Sequence, residues 1–311
     1  MTQHEGFWPG GARLAVSVSM QFEAGGQPIS GAGGPITEQI LPGFPDLGQN
    51  SFYEYGAREG VPRILDLLDA HGIKMTSFMI GDAVRRHPEV AAEIVRRGHE
   101  AGAHGRSWQR QYQLPRPQEK EWIADSVQAI EQATGTRPAG YNNYWIRPGV
   151  NTLEILAELG FTYHIDDLSA DEPFIQEVAG APFVTVPYTV HMNDIGSFDF
   201  AGFSPADYEQ QLYDEFEQLY EEGRQRRRMM SISLHDRISG HASRVRVVDR
   251  FLNRARRRAD VWWARRDEIA DWALATPEIT PTVDRAPAEQ SGLLGISGSP
   301  LSSGQSLDAT T

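Results

Sequence analysis

The sequence predicts an α/β fold, a single barrel-like domain around parallel strands, and three observations carry that expectation. Short apolar runs that read as buried strands alternate with amphipathic helical stretches along almost the whole chain. No internal repeat appears, and no proline-rich or serine-rich linker breaks the alternation before about residue 276. The 311 residues, 40% hydrophobic and 23% charged, with a mean hydropathy of -0.44, are enough to bury a large core.

About seven strands are expected, at 14–19 (LAVSVS), 75–80 (MTSFMI), weakly at 139–144, then at 161–165, 183–186, 229–234 (MMSISL) and 261–264. Helices are expected at 58–71, 88–97, 118–134, 152–159, 206–222 and 243–258. Their punctuation is ordinary: Gly72, Gly98 and Gly160 stand where C-terminal caps belong, and Asn151 and Ser204 where N-caps belong. Two segments fall outside the alternation. Residues 24–52, rich in Gly and Pro, form a long loop after the first strand, and loops of that length often serve as lids or binding loops. Residues 277–311 end in SGLLGISGSPLSSGQSLDATT, a tail expected to fray or to pack at an oligomer interface, which sets the domain at 1–276.

Charge and composition exclude several functions. The net charge of -13 opposes binding to nucleic acid or an anionic membrane. The basic runs RQRRR (224–228) and RARRR (254–258) fall at helix C-terminal ends, where they complement the helix dipole as a solvated face. Cysteine is absent, so thiol catalysis, cysteine metal sites and disulfides are all excluded. MTQHEGFWPGGARLAV lacks the features of a signal peptide, and no apolar run spans a bilayer, so a soluble cytoplasmic protein is expected. There is no Gly-x-Ser-x-Gly elbow, and GAGG at 31–34 lacks the Lys-Ser or Lys-Thr of a phosphate loop.

Nine histidines invite a metal, but neither His-x-His nor His-x-x-x-His occurs. Three positions remain, each at the end of a strand or just past a helix turn, where barrel folds collect their sites. Glu23 closes LAVSVSMQF, and position alone leaves it either a site residue or a solvated loop carboxylate. His104 lies in RRGHEAGAHGRSWQRQY, either in a pocket walled by Trp108 or as a core histidine bonded to backbone. His235 ends MMSISLHDR, an apolar strand that stops at three ionisable residues.

These segments, in this order, resemble the polysaccharide deacetylase superfamily, and more narrowly its metal-independent allantoinase branch of cyclic ureide and imide hydrolases. The resemblance spans about residues 8–275. It rests on WPGGARLAVSVSMQFEAGG, on YGAREGVPRILDLLDAHGIKMTSFMIGDAVRRHPEVAAEIVRRGHEAGAHG, on NTLEILAELGF and VPYTVHMND, and on MMSISLHDRISGHASRVRVVDRFL with VWWARRDEIADW. It implies a distorted (β/α) barrel of about seven parallel strands with the site at the strand C-terminal ends. Metal-dependent members use an Asp-Asp pair after the first strand and two histidines in His-Ser/Thr-x-x-His. Here the corresponding stretch is Phe22, Glu23, Ala24, Gly25, and the second histidine position is Trp108, so two of three ligands are missing. His235 matches the family's late acid histidine. The usual arginine of the middle motif is absent from GYNNYWIRPGVNT, where Tyr141, Asn142, Asn143, Tyr144 and Trp145 stand instead.

The resemblance implies a hydrolase that opens a small cyclic amide, allantoin first among them, with no cofactor or essential metal. In this scheme Glu23 takes the proton from water, on the expectation that burial raises its pKa. His235 protonates the leaving nitrogen or holds the oxyanion, and His104 orients water or substrate. Arg106, Trp108, Tyr141, Asn142 and Trp145 bind the ring. The partner is a small molecule, with a dimer or tetramer suggested by related allantoinases and Leu293, Leu294 and Ile296 offered to that contact. The alternatives are a metal-dependent N-deacetylase of amino sugars or peptidoglycan fragments and a catalytically silent small-molecule binder.

Overall fold

The first strand, β1 (Leu14–Phe22), sets the logic of the molecule. Its side chains alternate in character: Val16, Val18, Met20 and Phe22 join the main hydrophobic core, while Ser17, Ser19 and Gln21 line the opposite face. Both faces are buried, the mark of a parallel strand covered on both sides.

The computed structural model describes residues 6–36 and 38–283. After β1 come β2 (Thr76–Met79), β3 (Glu100–Ala103), β4 (Gly140–Tyr141), β5 (Tyr163–His164), β6 (Phe174–Val178), β7 (Ala181–Thr185), β8 (Met229–His235), β9 (Val261–Trp263) and β10 (Thr282–Val283). The helices are α1 (Leu47–Tyr55), α2 (Val61–His71), α3 (Gly81–Arg86), α4 (Pro88–Arg96), α5 (Arg116–Thr134), α6 (Thr152–Glu158), α7 (Pro205–Glu222), α8 (Ala242–Ala255) and α9 (Arg266–Ala275). One sheet runs β10-β6-β7-β5-β4-β3-β2-β1-β8, with β9 also paired to β1. Every ladder is parallel except β6–β7. The α/β class and the parallel order are those the sequence predicts. Among the described residues the ladder does not close between β8 and the β6–β7 edge. Residues 187–194 stitch that seam through an Asn193–Ser233 bridge and a 2.8 Å bond from Ser231 Oγ to the Pro187 carbonyl.

The unanticipated elements are those with weak periodicity. β3 is only EAGA, too short and small to stand out. β6 turns into β7 through Ala179 and Gly180, both at positive φ (53° and 79°), a two-residue hairpin without the usual Asn-Gly signal. α9 buries only Ile269, Ala270 and Ala273 beside the side chain of Arg266, too little apolar surface to show a helical stripe. The long loop ends at α1, capped by Asp46, and a π-helical turn (Gly56–Gly60) joins α1 directly to α2.

Other details refine the expectations. Gly72, Gly98 and Gly160 are left-handed as their capping positions require. Ser204 forms a capping box with Asp207, whereas Asn151 makes no side-chain cap bond. The run 224–228 is not wholly a solvated face. Arg227 and Arg228 are buried as the chain enters β8, paired with Glu172 and Glu222 at 2.7 Å each. The sheet also continues past residue 276, since β10 pairs with β6. Leu293, Leu294 and Ile296 lie outside the described residues. No described helix is long and apolar enough to cross a membrane.

Candidate active site

Parallel pairing brings the ends of β1 and β8 side by side. Gln21 and His235 are register partners, and Glu23 follows two residues on, so all three point to the same face at the strand C-terminal edge. β3 ends one residue before His104, whose backbone N–H donates to the Met79 carbonyl at 2.9 Å. The three separately expected residues therefore converge. Glu23 Oε1 lies 3.5 Å from His104 Nε2 and 3.8 Å from His235 Nε2, with all three side chains buried.

Each histidine is oriented by its other nitrogen. His104 Nδ1 donates to the Asn142 carbonyl at 2.7 Å, which leaves Nε2 facing Glu23. His235 Nδ1 bonds Asp194 Oδ1 at 2.6 Å, and Asp194 Oδ2 accepts from the backbone N–H groups of His235 (2.7 Å) and Ser239 (3.1 Å). Burial works against a charge on His235, but Asp194 and Glu23 outweigh it and raise the imidazole above its ordinary value.

Glu23 behaves differently from the expectation. Burial does push its pKa up, but Arg237, His235 and His104 together overcome burial and hold the carboxyl well below the usual carboxylate range. Arg237 Nη1 donates to Glu23 Oε2, and its guanidinium lies 4.1 Å above the Tyr53 ring. Glu23 Oε1 has no hydrogen-bond partner among the described residues. Between the two, Asp236 ties the strand ends together: Oδ2 accepts from Glu23 N (3.0 Å) and Ala24 N (3.3 Å). Burial pushes the Asp236 carboxyl up to about 6, with Glu23 adding to the rise and Arg237 opposing it. Gly56 and Gly60 permit this packing, because a Cβ on either would overlap Asp236.

A small cavity opens beside the two histidines, lined by Gln21, His104, Trp108, Asn142, Trp145 and His235 among others, with Glu23 buried behind them rather than in its lining. Its free volume of about 30 Å³ holds roughly two waters. The rim is Trp145 and Ile146, both at positive φ (50° and 55°), an uncommon state for a tryptophan and an outlier for a β-branched isoleucine. Trp108 packs on His104 and Trp145 with ring centroids at 5.4 and 5.9 Å. Asn142 is fixed by a 2.8 Å bond from Nδ2 to Asp166 Oδ1.

Two expected ring-binding residues are elsewhere. Tyr141, next to Asn142 on the strand, points the opposite way, buried in the main core against Phe161. Arg106 is exposed at the surface, 3.7 Å from Asp125 and over the Trp122 ring. The sequence pattern did not single out Asp194, Asp236, Arg237 or Gln21. The polar alternation Ser17, Ser19, Gln21, Glu23 and the intact triplet His235-Asp236-Arg237 are the signals that mark three of them.

The residues present do not fit the divalent cation that the resemblance associates with metal-dependent members. A guanidinium occupies one oxygen of the only carboxylate in the position, and Ala24 and Trp108 offer a methyl and an indole where ligands would stand. Among the described residues no group of three or more His, Asp or Glu is arranged so that it could hold a metal ion, the convergence of Glu23, His104 and His235 included.

Comparison with known proteins adds to this geometry. Residues 51–164 match the family model for polysaccharide deacetylase. A Schizosaccharomyces pombe protein assigned as a polysaccharide deacetylase is 30% identical, covering 87% of this chain and 93% of its own. The Helicobacter pylori peptidoglycan deacetylase is 26% identical over 70% of this chain and 84% of its own. Among solved structures, PuuE allantoinase is 34% identical with a TM-score of 0.80, over 86% of this chain and 93% of that one.

Proposed function

Since the chain belongs to the polysaccharide deacetylase family, we propose that it hydrolyses a ring C–N bond of a small cyclic amide, an allantoin-like ureide or cyclic imide, without an essential metal. The observation that carries this reading is Arg237 on Glu23: the carboxylate after the first strand is bonded to a guanidinium of the protein itself, while Ala24 and Trp108 stand where the resemblance places metal ligands. The 34% identity to PuuE allantoinase across nearly the whole of both chains supports the same branch.

The chemistry follows from the geometry. Water attacks the ring carbonyl carbon as Glu23 Oε1, the oxygen not bonded to Arg237, accepts a water proton. Arg237 keeps Glu23 ionised across the neutral range, the form that accepts a proton, although it lowers the carboxylate's basicity. His104 Nε2 faces the same oxygen and positions the water. The C–N bond of the tetrahedral intermediate then breaks as His235 Nε2–H gives its proton to the departing nitrogen, with Asp194 stabilising the imidazolium form beforehand. A cyclic imide or ureide suits this site because the charge on its departing nitrogen spreads onto a second carbonyl. Trp108, Trp145 and Asn142 border the ring's place, and the Trp145–Ile146 rim must shift to admit it.

The peptidoglycan deacetylase from Helicobacter pylori, spanning most of both chains, favours a second reading, metal-dependent N-deacetylation. One experiment separates the two. Chelator-treated protein is incubated with allantoin, hydantoins, cyclic imides and short N-acetylated amino-sugar oligomers, and products are resolved by mass. The expected result is the gain of one water on a ring compound with no added metal. Acetate release that appears only when zinc is restored replaces this reading with the deacetylase one, and binding without turnover makes the chain a silent homologue.

Arg237 gives a further expectation. In Arg237→Met the burial of Glu23 goes unopposed by its nearest cation, so its pKa rises. Because the ionised carboxylate is the active base, the acidic limb of the kcat/KM profile should move to higher pH than in the wild type. Rates measured from pH 4 to 9 check this, and an unmoved limb separates Arg237 from the base.

A further inference from the structure

Gln21 is buried, 2% exposed, on β1 two residues before Glu23, and it lines the cavity with His104 and His235. Neither Oε1 nor Nε2 of its carboxamide has a hydrogen-bond partner among the described residues. The flanking strands offer none in its row. Phe78 is its register partner on β2, and His235, its partner on β8, is committed to Asp194 and Glu23. A buried carboxamide with both ends unpaired is costly, and proteins rarely retain one unless a ligand or bound water completes it; this one faces the cavity, where a ligand can reach it.

We infer that Gln21 is the specificity-determining residue of the site, pairing through both carboxamide ends with the cis amide edge of a ring substrate. This inference rests on the ring-hydrolase reading and narrows it. A primary carboxamide presents a donor and an acceptor side by side. Its complement carries an acceptor and a donor side by side, which a secondary amide does only when C=O and N–H lie on the same edge. Closure into a five- or six-membered ring enforces that cis arrangement. The acetamido group of an amino sugar is an open secondary amide, trans by roughly fifty-fold or more, with C=O and N–H on opposite edges. It can satisfy one end of Gln21 and strands the other. The same residue therefore favours ring amides and rejects open-chain ones, independently of any difference in leaving-group chemistry.

The test compares full-length wild type with Gln21→Leu on hydantoin and its N-methylated analogues, with thermal melting alongside. Dividing the wild type's ratio of kcat/KM between unmethylated and methylated rings by the variant's ratio cancels the intrinsic reactivity of the compounds. The wild type should prefer the N–H ring by about thirtyfold or more, and Gln21→Leu should lose at least tenfold of that preference, mainly through KM. Its melting temperature should hold or rise, since an unpaired polar group is removed from the interior. Gln21→Met, closer in shape, serves if the leucine variant does not fold. A wild type that opens the ring while both variants keep its preference overturns the role of Gln21 and leaves the ring-hydrolase reading standing. A marked drop in melting temperature with the preference unchanged makes Gln21 a structural residue and overturns the inference equally. No ring opening by the wild type overturns both.

Discussion

Glu23→Gln should keep the fold and remove turnover, with kcat on the preferred ring amide falling by about a thousandfold or more. A positioned general base is worth roughly 10²- to 10⁴-fold, and this carboxylate also holds Arg237 and faces both histidines. Glutamine preserves the volume and still offers an oxygen to the Arg237 guanidinium, so the loss is chemical. Glu23→Ala is a different experiment on the same residue. It strands a buried guanidinium, and removing one partner of such a pair costs about 3–5 kcal/mol. Denaturant melts should therefore show Glu23→Ala strongly destabilised and Glu23→Gln much less so, while steady-state rates show both inactive. Turnover within tenfold of wild type in Glu23→Gln removes Glu23 from the role of base.

The second large effect is expected at Asp194. Asp194→Asn should lower kcat by about 10³- to 10⁴-fold, because the amide no longer fixes His235 with its Nδ1 proton inward and Nε2 toward Glu23. It also changes the pH dependence in a definite direction. Asp194 raises the His235 pKa against the pull of burial, and in the proposed mechanism His235 donates its proton as the acid. Activity is present below that pKa and declines as pH rises through it. With the carboxylate gone the pKa falls, so the alkaline limb of the residual activity should move to lower pH. A kcat profile of the variant against wild type measures both effects. An alkaline limb that stays in place while kcat falls assigns Asp194 to positioning alone.

The difference between what the sequence disclosed and what it concealed has a physical basis. Glu23 and His235 stand where strongly apolar strands stop, and a strand end is visible in a linear string. His104 follows a strand too short to see, EAGA, but the preceding helix and Gly98 locate it. Asp194 reaches His235 from 41 residues away, on the segment that stitches an open seam, and no periodicity reports that contact. Arg237 sits beside a recognised histidine, yet its pairing with Glu23 spans 214 residues. The expected shift of Glu23 is reversed because burial is opposed by Arg237 together with His235 and His104, and their combined pull exceeds it. Tyr141 and Asn142 illustrate a finer limit. Both stand in one polar-aromatic run, but a strand turns neighbours to opposite faces, which places Asn142 at the cavity and Tyr141 in the core.

His235, Asp236 and Arg237 are consecutive, yet each serves a different part of the chain: His235 engages Asp194, Asp236 gathers the turn after β1, and Arg237 neutralises Glu23. Three functions thus share a single reading frame. Loop length elsewhere in the chain can drift by a residue at modest cost, but a one-residue insertion or deletion here displaces the histidine, the scaffold carboxylate and the counter-charge together. Change at this point must come by substitution at fixed length, and any altered chemistry the fold acquires must keep the triplet's spacing while altering its letters.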